Sequence, residues 1–501
     1  MTARSLMVLG SMSSAGKSLL VTGLCRLYSR RGWRVTPFKA QNMSNNAAVC
    51  SGGEIGRAQA VQAAAAGVEP TVFMNPVLLK PEADNRSQIV VHGRVWDSLP
   101  AARFYDRRSE LRNVVTDSLD TLLGQYDLVI MEGAGSPAEM NLYQHDIVNL
   151  FPARCARTPC LLVGDIDRGG VFAQLLGTLW LLEEPDQELI KGLVVNKFRG
   201  DPDLFTDGIR FLEEHSGVPV LGVLPYLRDH GIPEEDAAAL GERVPVREDV
   251  VDIAVVHLPH ISNFDDFDPL LFEPDVQMRY VRKLEQLGSP DAIILPGTKN
   301  TLEDLDWLHE SGIAEGIKTL ASRGVSVVGL CGGFQMLGEE VLDESGVESS
   351  LGKMEGLGLL PVNTSFSDLK TVTRSKGSVE ASCGFLEGLT GAAVEGYEIH
   401  MGRTEASTTI FRIDTREGQK VDVPDGSSSE DGRIWGTYLH GIFENDGLRS
   451  AWIRSLGAAP QKEPFLERRL KAYDGLADEL ESALNMDLLD KIIEDGVGHG
   501  G

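Results

Sequence analysis

Short apolar runs alternate with amphipathic stretches along this chain, first through its amino-terminal half and again further on. In the first half Ser5–Leu9, Arg34–Phe38, Leu128–Met131, Cys160–Val163 and Gly192–Val195 read as strands. Between them, stretches such as Lys17–Arg30 and Ile55–Ala66 carry the spacing of amphipathic helices. Strand–helix alternation of this kind predicts a mostly parallel sheet covered by helices on both faces. From about Gly231 to Asp249 the sequence turns polar and acidic, with Pro233 and Pro245, and reads as a linker. A second alternating region follows, with strand runs at Val251–His257, Ala292–Leu295, Val325–Leu330 and Ile434–Thr437. From about Asn445 the pattern is helical and ends in an acidic, glycine-rich tail. The expected organisation is a first domain over 1–235, a linker over 236–250, a second domain over 251–445 and a helical extension with its tail over 446–501.

Composition narrows the function classes. At 501 residues the chain has room for two or three domains of roughly 150 residues each. A formal net charge of −27 argues against a general nucleic-acid binder, which needs a basic footprint. Anionic ligands would need local positive fields from helix N-termini and a few Lys and Arg. The six cysteines are scattered without a C-x-x-C pair, as expected of free thiols in a reducing cytosol, and a cytoplasmic location is expected. The amino terminus does not read as a signal peptide, and no apolar run approaches the ~18 residues of a membrane span.

The first chemical motif follows the first strand. Gly10 is separated by Ser11–Ala15 from Gly16-Lys17-Ser18, which opens a helix. Small residues let backbone N–H groups approach phosphate oxygens, and the helix N-terminus adds positive potential. Gly10, Ser14, Gly16, Lys17 and Ser18 are therefore candidate nucleotide contacts. Lys17 would reach the β- and γ-phosphates, and Ser18 would offer its hydroxyl to Mg²⁺. The spacer has five residues where the usual phosphate loop has four. Glu132 ends an apolar strand ahead of Gly133-Ala134-Gly135, a place from which it would hold Mg²⁺ directly or through water, or else cap the next turn. Asp165 and Asp167 follow another strand, and either would serve the metal or the loop. Asn196 and Lys197 come after the strand run Gly192–Val195, where related folds grip the nucleotide base.

A second motif lies in the other half. Gly329-Leu330-Cys331-Gly332-Gly333 sits between a strand run and a helix, the layout of a nucleophile elbow with cysteine at its tip. The Gly332 N–H would stabilise an oxyanion, with a second donor from the Pro296-Gly297-Thr298 turn. His440, after the run beginning at Trp435, is the candidate general acid–base. Glu444 lies four residues further on, and a capping or solvent-facing place suits it better than orienting the imidazole. His400, in Gly396–Arg403, is assigned substrate or structural work rather than proton transfer.

These motifs carry a family resemblance. The longer phosphate loop resembles that of dethiobiotin synthetase-like enzymes, and the second half resembles a class I glutamine amidotransferase domain. In the latter family a glutamate usually follows the histidine by two residues. Here that position is Ile442, as in the Cys-His variant found in corrinoid amidases. The segments Phe38–Ser44, Met74–Pro81, Glu132–Glu139, Gly164–Gly170, Asn196–Asp201 and Ile261–Asp268 resemble the cobyric acid synthase family in particular. The implied fold is α/β throughout: a P-loop (dethiobiotin synthetase-like) parallel-sheet domain, then a class I glutamine amidotransferase-like α/β domain.

The implied activity is amidation of adenosylcobyrinic acid a,c-diamide at its b, d, e and g carboxylates. ATP with Mg²⁺ would activate each acid and glutamine would supply nitrogen, without a nucleic-acid or membrane partner. Lys39, Arg57, Lys80, Arg86 and Arg199 would form the basic patch that a corrinoid acid and a triphosphate need, each being equally readable as solvated surface charge. Ammonia would require a dry passage between domains, since it is protonated in water. Two alternatives stand beside this expectation. One is cobyrinate a,c-diamide synthase, which takes an earlier corrinoid. The other is a nucleotide-binding scaffold with a decayed amidase domain, against which the intact Cys331 motif and His440 argue.

Overall fold

Runs of Val, Ile, Leu and Met that are apolar on both faces need cover on both faces, and in the first half of the chain they obtain it in a six-stranded parallel sheet. The computed structural model describes residues 3–497 except 84–85, 101–106, 228–229, 233–246 and 248. The expected linker and the end of the tail thus lie largely outside the described residues. Among those described, residues within 1–44, 50–235 and 469–501 form one unit, and residues within 45–49 and 236–468 form a second.

In the first unit the strands run in the order Val220–Pro225, Ile190–Phe198, Cys160–Asp165, Arg4–Gly10, Leu128–Glu132 and Val35–Phe38. Every neighbouring pair is parallel. Period-2 alternation divides each strand between two cores. Leu6 and Val8 pack with Leu20, Leu24 and Tyr28 of the helix Lys17–Arg30, whereas Met7 and Leu9 pack with Leu111 and Leu119 of the helix Arg108–Gln125. A smaller sheet of Gln41–Met43, Val77–Ala83, Arg86–Val91 and Arg94–Pro100 belongs to the same half.

The chain's last helices return to this unit. Tyr473, Leu476, Leu480 and Leu489 join the core beneath the phosphate-loop helix. A Cβ built on Gly23 would lie 2.3 Å from Leu480 Cδ1, so the close approach of the two helices requires glycine there. Ion pairs fasten the same contact: Arg26 with Asp474 at 2.8 Å, Arg30 with Asp478 at 2.7 Å and Arg31 with Asp490 at 3.0 Å. The described residues from 469 to 497 therefore belong with the phosphate loop, a grouping that position in the chain does not reveal.

The second unit has its own six-stranded sheet, in the order Val276–Val281, Val251–Val256, Ala292–Leu295, Ser326–Leu330, Ile434–Thr437 and Ser427–Ser428. Only the last pair is antiparallel. A further sheet is built on the antiparallel pairing of Val362–Val379 with Ala393–Ala406. Both candidate chemical motifs leave the C-terminal ends of parallel strands, the edge at which α/β sheets bind ligands.

Candidate active sites

The phosphate loop runs from Gly10 at the end of its strand to the first turn of the helix Lys17–Arg30. Ser14 and Gly16 have φ of 58° and 98°, so the loop turns through left-handed backbone at two places. Its carbonyls are held by side chains. Met12 O accepts from Lys17 Nζ at 3.2 Å, Ser14 O from Lys197 Nζ at 2.7 Å and Ala15 O from Asn196 Nδ2 at 2.9 Å. Carbonyls fixed on the outside of a tight loop leave its N–H groups for an anion inside. Lys17 Nζ also donates to Gly135 O at 3.1 Å, which spans the sheet edge to the loop after Glu132.

Asn196 and Lys197 thus act on the loop backbone. The Asn196 amide oxygen accepts from Lys197 N at 2.8 Å, so both ends of this side chain are engaged within the protein. A Cβ on Gly16 would lie 2.1 Å from Asn196 Nδ2, which explains glycine at that position. Asp165, buried, pairs with Lys197 at 2.9 Å, whereas Asp167 pairs with Arg199. Asp165 therefore meets the loop through Lys197.

Glu132 is 1% exposed and fully engaged. Its Oε1 accepts from Ser18 Oγ at 2.9 Å and from Lys39 Nζ at 2.7 Å, and its Oε2 from Gln62 Nε2 at 2.5 Å. The Ser18 hydroxyl and the Glu132 carboxylate offer adjacent hard oxygens, the donor chemistry that suits Mg²⁺. Because Oε1 already faces an ammonium, a water-mediated place suits Glu132 better than direct ligation. Gln62 was not anticipated. Its signal was two glutamines, Gln59 and Gln62, in an otherwise alanine- and valine-rich buried helix, Arg57–Ala66.

Asn75 donates to Lys39 O at 3.0 Å and accepts from Gly56 N at 2.9 Å, so the Met-Asn-Pro segment positions both the Lys39 strand and the Gln62 helix. The anticipated basic patch takes another form. Lys39, Lys80 and Arg199 each face a carboxylate, Lys80 meeting Glu54 at 2.5 Å in a buried pair. Arg57 opens the helix that carries Gln62, and the Arg86 side chain lies outside the described residues.

In the second unit Cys331 stands between the strand Ser326–Leu330 and the helix Gly332–Leu337 with φ 51° and ψ −108°. This is a strained conformation for a residue with a side chain, and its neighbours allow it only as glycines. A Cβ on Gly329 would lie 2.6 Å from Gly333 O, and one on Gly333 would lie 2.0 Å from Leu295 O. The Pro296–Thr298 turn lies against both reacting groups: a Cβ on Gly332 would meet Thr298 N at 3.2 Å, and one on Gly297 would meet His440 Cε1 at 3.2 Å. The turn carrying Gly297 thus sits against both the start of the helix after Cys331 and the His440 ring.

His440 is buried and close enough to Cys331 for the two to interact electrostatically, while the Cys331 thiol itself donates to Ile399 O at 3.5 Å. Its Nδ1 lies 2.7 Å from Asp266 Oδ2, while Asp266 Oδ1 accepts from Gly441 N at 2.7 Å. Burial disfavours the imidazolium, but the neighbouring Asp266 carboxylate and Cys331 outweigh it and hold His440 well above its ordinary pKa. The ring stacks on Tyr397 with centroids 5.1 Å apart. Asp266 is the third member that the sequence left open. Glu444 ends the short 3-10 helix Ile442–Glu444, and the carboxylate at Nδ1 belongs to Asp266. His400 is stacked on Tyr438 at 4.0 Å and bonded to Gly402 O at 2.8 Å and Glu398 Oε2 at 3.3 Å, and the carbonyl of its neighbour Ile399 accepts from the Cys331 thiol at 3.5 Å.

A P-loop unit and a thiol–imidazole–carboxylate amidase on one chain define an ATP-dependent glutamine amidotransferase. The profile of the CobQ/CobB/MinD/ParA nucleotide binding domain matches residues 6–236, and that of the CobB/CobQ-like glutamine amidotransferase domain matches residues 252–448. Cobyric acid synthase of Chloroflexus aurantiacus is 51% identical over 98% of this chain and 100% of its own length. The Roseiflexus castenholzii protein of that name is 52% identical over 97% of this chain and 98% of its own. The Dehalococcoides mccartyi protein is 46% identical over 99% and 100% respectively. The chain belongs to the cobyric acid synthase family. Among the described residues no helix is long and apolar enough to cross a membrane.

Proposed function

We propose that this chain converts the b, d, e and g carboxylates of adenosylcobyrinic acid a,c-diamide to carboxamides, with glutamine as nitrogen donor and ATP with Mg²⁺ as activator. The observation that carries the amidase half is the Cys331 thiol on a strained elbow, beside an imidazole whose Nδ1 faces a buried carboxylate. The corrinoid half is supported by the names of relatives that align along nearly the whole chain.

The chemistry runs as two half-reactions. The Cys331 thiolate attacks the glutamine carboxamide carbon, and the negative charge that develops on oxygen is met by N–H groups at Gly332 and the Gly297 turn. The His440 imidazolium gives a proton to the departing nitrogen, ammonia leaves, and water hydrolyses the glutamyl thioester with His440 now as base. In the other unit an acceptor carboxylate oxygen attacks the γ-phosphorus and ADP departs, leaving an acyl phosphate. Ammonia then adds to that carbonyl and phosphate is expelled. The loop amides and Lys17 position the triphosphate and stabilise its charge. Mg²⁺, held by Ser18 with Glu132 behind it, would supply further charge neutralisation at the phosphates. Asn196 and Lys197 act through the loop they brace, and Lys39 balances Glu132.

The test is incubation of the purified chain with ATP, Mg²⁺, glutamine and either the a,c-diamide or free cobyrinic acid, followed by mass spectrometry. Stepwise amidation of the diamide is expected. Conversion of cobyrinic acid alone would reassign the chain to the earlier amidation, and no conversion of either would leave it without the proposed substrate class.

A further inference from the structure

The amidase unit includes a short stretch from early in the chain, residues 45–49, which follows shortly after Lys39 in sequence. This stretch is hydrogen-bonded to the turn that carries Asp266. Phe264 N donates to Asn46 Oδ1 at 3.4 Å, and Ala47 N donates to Asn263 Oδ1 at 3.5 Å. Val49 O accepts from Arg374 Nε at 3.3 Å. Asn46 and Asn263 are both buried.

Asn263 is the centre of the arrangement. Its φ of 52° is a left-handed conformation that asparagine tolerates better than most residues. Its carbonyl accepts from Asp266 N at 3.1 Å, closing the turn from which the Asp266 carboxylate reaches His440. Its side-chain Nδ2 donates to Tyr397 OH at 3.2 Å. Tyr397 in turn stacks on the His440 ring and exchanges backbone hydrogen bonds with it, N to O at 3.1 Å and 2.8 Å. One asparagine thus holds both walls of the imidazole: the carboxylate at its Nδ1 and the ring against its face. Asn46 and the Ala47 N–H hold that asparagine and its neighbour from behind.

We propose that Asn263 and Asn46 are positioning residues for glutamine hydrolysis, through which residues 45–49 of the amino-terminal half fix the His440–Asp266 pair. The inference rests on the reading of Cys331 and His440 as a glutaminase. A shift of a few tenths of an ångström in the imidazole changes its alignment with the Cys331 sulfur far more than it changes the room for glutamine. The effect is therefore expected in kcat rather than KM.

The test uses the full-length chain with Asn263→Gly, Tyr397→Phe and Asn46→Ala. Glycine keeps the left-handed backbone of residue 263 and removes only its side chain, and phenylalanine keeps the stacked ring and removes only the hydroxyl. For each variant, kcat and KM for glutamine hydrolysis are measured across pH, alongside nucleotide affinity and Tm. A fall in kcat of about tenfold for Asn263→Gly is expected, with a displaced pH profile, KM within about twofold and nucleotide affinity unchanged. The Asn263→Gly/Tyr397→Phe pair should lose less than the product of the two single effects. An unchanged kcat, or a parallel loss of kcat, nucleotide affinity and Tm, would overturn the inference. A parent chain that releases no ammonia from glutamine would instead overturn the glutaminase reading, and this inference with it.

Discussion

Asp266→Asn interrogates the amidase pair directly, because the structure leaves the substituted amide one way to sit. Each carboxylate oxygen of Asp266 has one neighbour at 2.7 Å: Gly441 N at Oδ1 and His440 Nδ1 at Oδ2. An amide has one oxygen. The Gly441 N–H can only donate and claims it, which turns the NH₂ group toward Nδ1. Nδ1 must then accept, the ring proton moves to the nitrogen facing Cys331, and the thiol loses its proton acceptor. Charge is lost as well. Two unit charges about 4 Å apart attract by about 4 kcal/mol at an effective dielectric constant of ~20. The imidazolium is the proton donor to the departing nitrogen, so loss of that attraction is worth roughly a thousandfold in rate. Burial already opposes the imidazolium, and without Asp266 only the Cys331 charge resists it. Glutamine hydrolysis should therefore fall by roughly a thousandfold in kcat, with KM little changed. The assay is continuous ammonia detection over a pH series, with nucleotide binding as the folding control. A folded variant that keeps more than about a tenth of the parent kcat, with an unmoved pH profile, would refute the orienting role.

The other substitutions separate the two chemistries. Cys331→Ala should abolish glutamine-dependent amidation and spare amidation driven by ammonium salts, and loss of both would show that the thiol is not confined to nitrogen release. Glu132→Gln removes one negative charge beside Lys39 and the phosphate loop. A charge at about 7 Å is worth about 2 kcal/mol at a dielectric constant of ~20, so metal-free ATP should bind more tightly and the gain from Mg²⁺ should shrink. An unchanged ratio of metal-free to metal-bound affinity, read by titration calorimetry, would reduce Glu132 to a turn cap. Glu398 has its carboxyl pushed from 4.5 down to about 2, because hydrogen bonds from His400, Ser375 and Arg416 overcome the opposing effect of burial. A depressed acid stabilises the fold above its unfolded pKa and loses that contribution as pH falls through its folded pKa. Glu398→Gln should accordingly cost on the order of 3 kcal/mol near neutrality and progressively less from 4.5 down to about 2, as read by denaturant titration. An equal cost at both ends of that range would remove its electrostatic origin.

What could be read from sequence is what is local. The strand run Ser5–Leu9 lies within the observed Arg4–Gly10, and Ile434–Thr437 is the observed strand itself, because a strand buried on both faces must be apolar throughout. Cys331 was legible because an elbow needs glycines at fixed offsets, and the structure shows backbone where their Cβ atoms would be. Asp266 was not legible as the partner of His440. It lies 174 residues away in sequence, among Asp265, Asp266 and Asp268, and spacing does not choose between three nearby carboxylates. Asn196 shows a different limit. Its place near a strand end suggested contact with a nucleotide base; its side chain bonds Lys197 N beside it and Ala15 O of the phosphate loop, 181 residues away, and the latter contact is not readable from local sequence. Residues 45–49 and 469–501 make the same point for chain path, since their polar and charged partners are remote in sequence and close in space.

The two sites impose opposite electrostatic demands on a chain of net charge −27. The amidase must keep a proton on a buried imidazole, and it does so with a negative group, Asp266, that is itself satisfied by a backbone N–H. The phosphate site must receive a polyanion, yet it contains Glu132 and Asp165. Each of these acids is matched by a lysine, Lys39 and Lys197, and Lys17 is held by the carbonyls of Met12 and Gly135. Against Glu132 and Asp165 stand Lys17, Lys39 and Lys197, with Arg168 3.9 Å from Asp165, so these groups together are positive although the whole chain is not. On the proposed reading, most of the attraction for a triphosphate comes from Lys17, the helix N-terminus and the loop N–H groups. The lysines paired with acids hold the loop and the carboxylate in place, and the loop's shape rather than the chain's charge selects the anion.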